Sequence, residues 1–456
     1  MSRTDTSLDS KLTVAERRTA LALAAIVAFR MLGLFMLLPV MTTYGGALAG
    51  YTPMLAGLAV GIYGFTQACL QIPLGRLSDT WGRRPVITLG LVLFALGALV
   101  AALSDHIIGV IIGRAIQGAG AVSSAALALA ADATAEHRRS KVMAIIGISI
   151  GGAFILAFLG GPLLAAFGGL PAVFWATVVL ALLSLLLTFW TVPKAPPAAS
   201  AGDGQARWAT LWPLLRHGDL PRLSVGIFAL HFVMTALFMV LPMKLVEFGI
   251  DRAEHASIYL PVLIGGVLLM GPLLRVAERR SLHKPILLLC LPLLALALTV
   301  VALPSLALLI VGLVLYFAAF NWLEASLPSW LSRIVPAGHK GTAMGFYASA
   351  QFLGAFAGGA LGGMLMQWYG ATAVLVAGVA MVLLWLLFAL GQQPLPEWRT
   401  TQLPAVGDEL ATIALKLRAL DGVIEVIPQP DQQALALRYD ARRVNEQQLT
   451  DVITGK

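Results

Sequence analysis

Twelve stretches of about 18–25 mostly apolar residues recur along this chain. Each is long enough to cross roughly 30 Å of hydrocarbon at 1.5 Å per residue. They lie near 19–41, 54–74, 86–104, 107–131, 142–166, 172–193, 223–247, 255–274, 285–303, 306–330, 341–366 and 371–391. A backbone surrounded by lipid must satisfy its own N–H and C=O groups, so each run predicts a helix. Apolar residues make up 59% of the 456 and ionisable ones 12%, more grease than a soluble core of this size could hide. The expected class is an all-α polytopic membrane protein.

Charge then orders the spans. The N-terminus and the loops after spans 2, 4, 6, 8 and 10 carry twenty Lys and Arg residues, whereas the opposite loops carry two, Lys244 and Arg252. Basic loops stay in the cytoplasm, which predicts cytoplasmic N- and C-termini. The formal charge of +8 is mostly this loop charge and needs no nucleic acid to explain it. The run after the first 18 polar residues is too long for a cleaved leader, so the first helix itself is expected to direct insertion. Cys69 and Cys290 lie in apolar runs with no metal-ligand spacing.

A Pro/Ala/Gly-rich stretch at 194–222 divides the spans six and six, predicting bundles over 1–193 and 223–391. The halves look related: "FMLLPV" (35–40) recurs as "FMVLPM" (238–243), each near the outer end of the first span of its half. Two parallel six-helix repeats are an arrangement typical of carriers.

Between spans 2 and 3 stands "GRLSDTWGRRP" (75–85), a charged hairpin containing an acid that a plain basic turn does not require. With the repeat, it resembles the signature of the major facilitator superfamily, Gly-x-x-x-Asp-x-x-Gly-Arg-Arg/Lys. Gly75, Asp79, Gly82, Arg83 and Arg84 match, and Thr80 stands where the family usually has a base. Gly82 suits the turn, Gly75 would let the helix end pack closely, and Asp79 could accept from an adjacent helix N-terminus or an arginine. The resemblance implies a latch that holds the two halves together in one conformation. Asp132, in "LAADATAEHRRSK", either joins it through Arg138 or Arg139 or is an ordinary solvated helix end.

Two further stretches narrow the likeness to the drug:proton antiporter branch. "GRAIQGAGAV" (113–122) resembles that family's span 4 arginine motif, with Arg114, Gln117, Gly118 and Gly120 in place. "GGAFILAFLGGP" (151–162) keeps the Gly161-Pro162 of the antiporter motif, although Ala165 and Ala166 replace its trailing glycines. "FRMLGLFMLLPVMTTYG" and "GTAMGFYASAQFLG", followed by a small soluble tail, resemble a bacterial subgroup of that branch.

Away from the span ends, the ionisable residues inside spans are Arg30, Arg114, His231 and Glu324, with Asn321 one helical turn before the last. A central arginine costs about 2.5–3.5 kcal/mol on insertion scales, so these groups should face a watered cavity or one another. They fall on spans 1, 4, 7 and 10, which the resemblance implies line the substrate cavity; buried ion pairs that only fix packing are the alternative. Glu324 is the first candidate for a proton carrier and His231 the second, leaving Arg30 or Arg114 as a counter-charge or an anchor for an anionic group.

Beyond "GQQPLPEW" (391–398) no spanning run occurs, and residues 397–456 hold nine acids against seven bases. The pattern predicts strands at 400–404, 422–428 and 433–439 and helices at 408–420 and 445–453. "LDGVIEVIPQPDQQALALRYDARRV" resembles the heavy-metal-associated domain, which implies a ferredoxin-like cytoplasmic unit over 400–456. That family's cysteine pair is absent, so no metal site is expected. A unit of about 57 residues is marginally stable alone, which leaves docking or self-association open.

"GISIG" (147–151) fits a nucleophile-elbow pattern but lies within a span rather than a strand–turn–helix, so no enzyme is expected. The expected function is alternating-access export of an unspecified small molecule, driven by the proton gradient without a cofactor. The setting expected is a multi-pass monomer among the lipids of a bacterial inner membrane. Proton-coupled uptake of a metabolite and a transporter-derived sensor are the alternatives.

Overall fold

The computed structural model describes residues 12–135, 138–192, 219–335 and 340–395 of the membrane body, and 397–404, 410–420, 422–429 and 434–454 of the tail. Most of the linker expected at 194–222 lies outside the described residues; its last residues belong to span 7, which starts at Leu220.

Ten described helices are long and apolar enough to cross a membrane. Two of them, Arg139–Thr191 and Lys340–Leu390, hold 53 and 51 residues. Straight helices of that length would reach roughly 75–80 Å. Each is instead broken by glycine: at Gly168 and Gly169 (φ 65°) in the first, at Gly370 (φ 78°) in the second. The positive φ values are backbone states that glycine adopts without steric cost. These helices are spans 5 and 6 and spans 11 and 12, and the body crosses twelve times, as the apolar runs predict.

The other spans are Val14–Phe35 (span 1), Pro53–Trp81 (2), Arg83–Ala102 (3), Leu220–Glu247 (7), His255–Arg280 (8), His283–Ala302 (9) and Leu306–Ile334 (10). Span 1 begins ahead of its expected residue 19 because Thr13 and Glu16 form a reciprocal capping box. Span 4 departs from expectation: it is two helices, Ile107–Ala119 and Ser123–Asp132, separated at Gly120. A side chain at Gly120 would strike the Gly90 carbonyl, and one at Gly118 would strike the Tyr63 carbonyl. Backbone-to-backbone packing against spans 2 and 3 thus accounts for both glycines of the arginine motif.

The halves meet at the end of the bundle away from the basic loops. Span 2 packs on span 11 so closely that a Cβ at Gly61 would lie 2.7 Å from the Phe356 carbonyl oxygen, and one at Gly64 2.5 Å from that of Phe352. Phe154 and Phe158 of span 5 meet Phe317 of span 10, Phe238 of span 7 and Tyr259 of span 8, with the Phe158 and Phe238 centroids 4.8 Å apart. Towards the basic end these contacts stop. Positions Gly147, Gly151 and Gly152 on span 5, Gly271 on span 8 and Gly341 and Gly345 on span 11 have no neighbour within 4 Å of a built Cβ. The contacts described between the halves thus gather toward the far end of the bundle. Gly358 and Gly362 do pack, on Phe232 and Ala236 of span 7.

The tail is a separate compact unit from Gln393 onward. Strands β1 (Trp398–Pro404), β2 (Val423–Gln429) and β3 (Ala434–Asp440) form an antiparallel sheet in the order β1-β3-β2. Helices Leu410–Arg418 and Glu446–Thr454 complete a βαββα unit, close to the predicted elements. Leu417, Leu435, Leu437, Tyr439 and Leu449 are its most buried core side chains.

Candidate transport site

The charged hairpin folds as a compact network within the first half. Asp79 occupies the last turn of span 2, the negative end of that helix, and Arg83 opens span 3 at a positive end. Either charge alone opposes its helix dipole, and pairing them removes both conflicts. Arg83 bonds the Asp79 carboxylate, donates to Ser78 Oγ at 2.7 Å, and reaches Asp132 Oδ2 through Nε at 3.1 Å. Gly82, at φ 95°, makes the turn between the spans. Arg84 turns away, donating to the Phe189 carbonyl of span 6 at 2.8 Å.

Asp132 thus joins the hairpin through Arg83, not through Arg138 or Arg139. Arg138 lies instead 3.2 Å from Glu16, and Arg139 Nε donates to the Ala131 carbonyl at 3.0 Å. Gly75 differs from expectation too. A Cβ there would find only Ser124 Oγ of span 4, at an ordinary 3.7 Å, so the position does not need a glycine for close packing. Gly161 is tight: its Cβ would lie 2.5 Å from the Met36 carbonyl, so Gly161-Pro162 fits span 5 against the end of span 1.

The residues expected to line the cavity fall into two groups. In the second half, the Gln351 amide nitrogen lies 2.8 Å from His231 Nε2 and 3.2 Å from Glu324 Oε1. His231 Nδ1 lies 3.3 Å from the Ile227 carbonyl, which can only accept, so a bond there needs a proton on Nδ1. His231 Nε2 and Glu324 Oε2 are 3.8 Å apart. His231 is buried, but the Glu324 side chain is 39% exposed in mid-span. Asn321 stands apart from these bonds, its amide nitrogen unpaired. Phe317 and Phe320 precede Glu324 on span 10, so the group sits on the basic side of the aromatic seal.

In the first half, Arg30 and Arg114 are each 1% exposed. Arg30 donates to Ser123 Oγ, Tyr63 OH and Gln67 Oε1, all at 2.6 Å. Arg114 donates to Gln117 Oε1 at 3.0 Å and to the Ala59 carbonyl at 3.3 Å, with its guanidinium 4.8 Å from the Tyr63 ring centroid. Among the described residues neither arginine has a carboxylate within 4 Å, and their bonds go to neutral oxygens rather than to Glu324. Sequence reasoning missed Gln351, Tyr63, Gln67 and Ser123. The signal available was the rarity of amides inside the spans.

The Major Facilitator Superfamily model matches residues 23–323 and 223–424. The inner membrane transport protein YajR of Escherichia coli is 38% identical over 449 residues, 98% of this chain and 99% of the relative. An uncharacterized transporter of Buchnera aphidicola is 31% identical, covering 83% of this chain and 98% of its own. A bacterial homologue of the human lysosomal transporter Spinster, solved inward-facing and occupied, superposes with a TM-score of 0.65 at 16% identity, over 83% of this chain and 97% of that one. With its twelve crossings in two halves, a charged hairpin after the second and family matches running nearly end to end, the chain belongs to the Major Facilitator Superfamily and is a multi-pass membrane transporter.

Proposed function

We propose that the chain exports a small molecule in exchange for protons across a bacterial inner membrane, by alternating access, with both termini in the cytoplasm. The conformation described above is then the cytoplasm-facing state. The observation that carries the reading is Glu324: a partly exposed side chain in mid-span, its Oε1 tied through Gln351 to a buried histidine and its Oε2 buried and unpaired, just inside the aromatic seal. Such a group can load a proton when the far end opens and release it when the basic end opens, since hydration and neighbours change between the states. Asp79, Arg83 and Asp132 would then set the balance between the two states. Gly75, Gly82 and Arg84 shape the hairpin, and Gly161-Pro162 the pivot of span 5. The basic loops facing the cytoplasm and the inner-membrane setting named for the 38%-identical relative support the orientation and location. The mechanism needs only the gradient as energy source and no cofactor.

Flux in reconstituted vesicles under an imposed pH gradient tests this. Substrate moving against the proton flow supports export. Movement with the protons makes the protein an uptake carrier, and ligand binding without any flux makes it a sensor. Equal proton-coupled flux in Glu324→Gln and the parent protein removes Glu324 from the mechanism.

A further inference from the structure

The polar cluster of the first half has more hydrogen-bond donors than acceptors. The two guanidiniums fix the orientation of both glutamines: Gln67 Oε1 faces Arg30 and Gln117 Oε1 faces Arg114, because a flipped amide would set N–H against N–H. Each amide nitrogen is thereby turned away, and both are buried without an acceptor. Arg30 Nε and Ser124 Oγ are buried and unpaired as well. Ser123 and Tyr63 each give a lone pair to Arg30, which leaves their hydroxyl protons free to be donated. One orphan acceptor lies nearby in sequence, Gln71 Oε1, a turn further along span 2. Among the described residues these two cations have no carboxylate partner, in a setting where an unpaired charge is costly.

We infer that this cluster binds the anionic oxygen group, carboxylate or phosphate, of the transported molecule, and so gives the proposed exporter an organic-anion substrate class. The inference rests on the transport reading and adds the ligand chemistry. An oxyanion accepts from several donors at once, and bonds to it from polarised hydroxyls and guanidinium N–H groups are the strong, charge-assisted kind. Ser123 and Ser124 are the half-buried members, standing where span 4 is broken. They are the point of entry, with Arg30 acting from behind through Ser123. A cationic ligand would add a third positive charge beside the two guanidiniums.

The test is thermal unfolding of the purified full chain with benzoate, inorganic phosphate or tetraphenylphosphonium, repeated for Arg30→Lys and Ser123→Ala. A saturable rise in the unfolding midpoint is expected with benzoate or phosphate, and which one responds separates carboxylate from phosphate. Arg30→Lys, which keeps the charge but loses the fork, should weaken that anion's binding at least tenfold, and Ser123→Ala at least threefold. Should Arg30→Lys fail to fold, Ser123→Ala alone decides. Stabilisation by tetraphenylphosphonium alone, no response to either anion, or anion binding unaltered in both variants would overturn the inference. Anion binding without proton-linked flux would instead count against the transport reading and leave this one standing.

Discussion

Gln351 places its amide nitrogen 3.2 Å from Glu324 Oε1, joining span 11 to span 10 in mid-bundle. The same nitrogen lies 2.8 Å from His231 Nε2, so one neutral side chain serves both His231 and Glu324.

That sharing predicts an order of effects. Gln351→Leu removes a donor to a carboxylate, an interaction worth about 1.5–3 kcal/mol. Proton-driven flux at fixed gradient should fall about tenfold or more, and its pH profile should move. Gln351→Asn, which keeps an amide on a shorter stem, should fall between Leu and the parent protein. A profile unchanged in Gln351→Leu would count against the triad.

The hairpin network predicts unequal losses. Asp79 is 16% exposed against 45% for Asp132, and exposed ion pairs contribute about 0–1 kcal/mol. Asp132→Asn should therefore shift the unfolding midpoint little, whereas Asp79→Asn leaves Arg83 with the Ser78 hydroxyl and the more exposed carboxylate and should lower it by several degrees. The same ranking is expected in turnover.

Closure of the far end depends on Gly57, whose Cβ would collide with the Gly359 carbonyl. Gly57→Leu should hold that end open. The readout is labelling of a cysteine at Phe317, which is 1% exposed here, in a background where the exposed Cys69 is replaced by serine. Labelling by an impermeant maleimide from the far side should rise at least tenfold. No rise would place the seal elsewhere.

The tail offers a backbone test. Gly422 has φ 113°, and a Cβ there would lie 2.9 Å from Arg443 Cβ. Gly422→Ala should cost the tail about 1–3 kcal/mol through strain at a glycine-only conformation. In the intact protein, cleavage beyond Gln392 should speed up accordingly, with the membrane body unaffected.

Elements governed by local physics were legible in the residues. Span lengths follow from the thickness of hydrocarbon, and the apolar runs already part between spans 5 and 6 and between spans 11 and 12, where the chain turns. The tail's strands follow from alternation and turn residues. Pairings were harder to read. Arg138 and Arg139 are near Asp132 in sequence, yet its partner is Arg83, 49 residues away, brought close because spans 3 and 4 pack side by side. The buried arginines suggested carboxylate partners, but their bonds go to neutral oxygens on spans 2 and 4, and an amide or a hydroxyl carries no charge to flag it. The break in span 4 was hidden because Gly118 and Gly120 also fit an unbroken helix.

That break has a mechanical result. The segment after it, Ser123–Asp132, is a rigid rod of ten residues, about 15 Å long. Ser123 is moored to Arg30 at one tip and Asp132 to Arg83 at the other. The rod joins these two moorings directly, its Ala126 and Leu129 buried in the core. A tug on Asp132 would be passed along it to the guanidinium deep inside without the first helix of the span, Ile107–Ala119, having to shift.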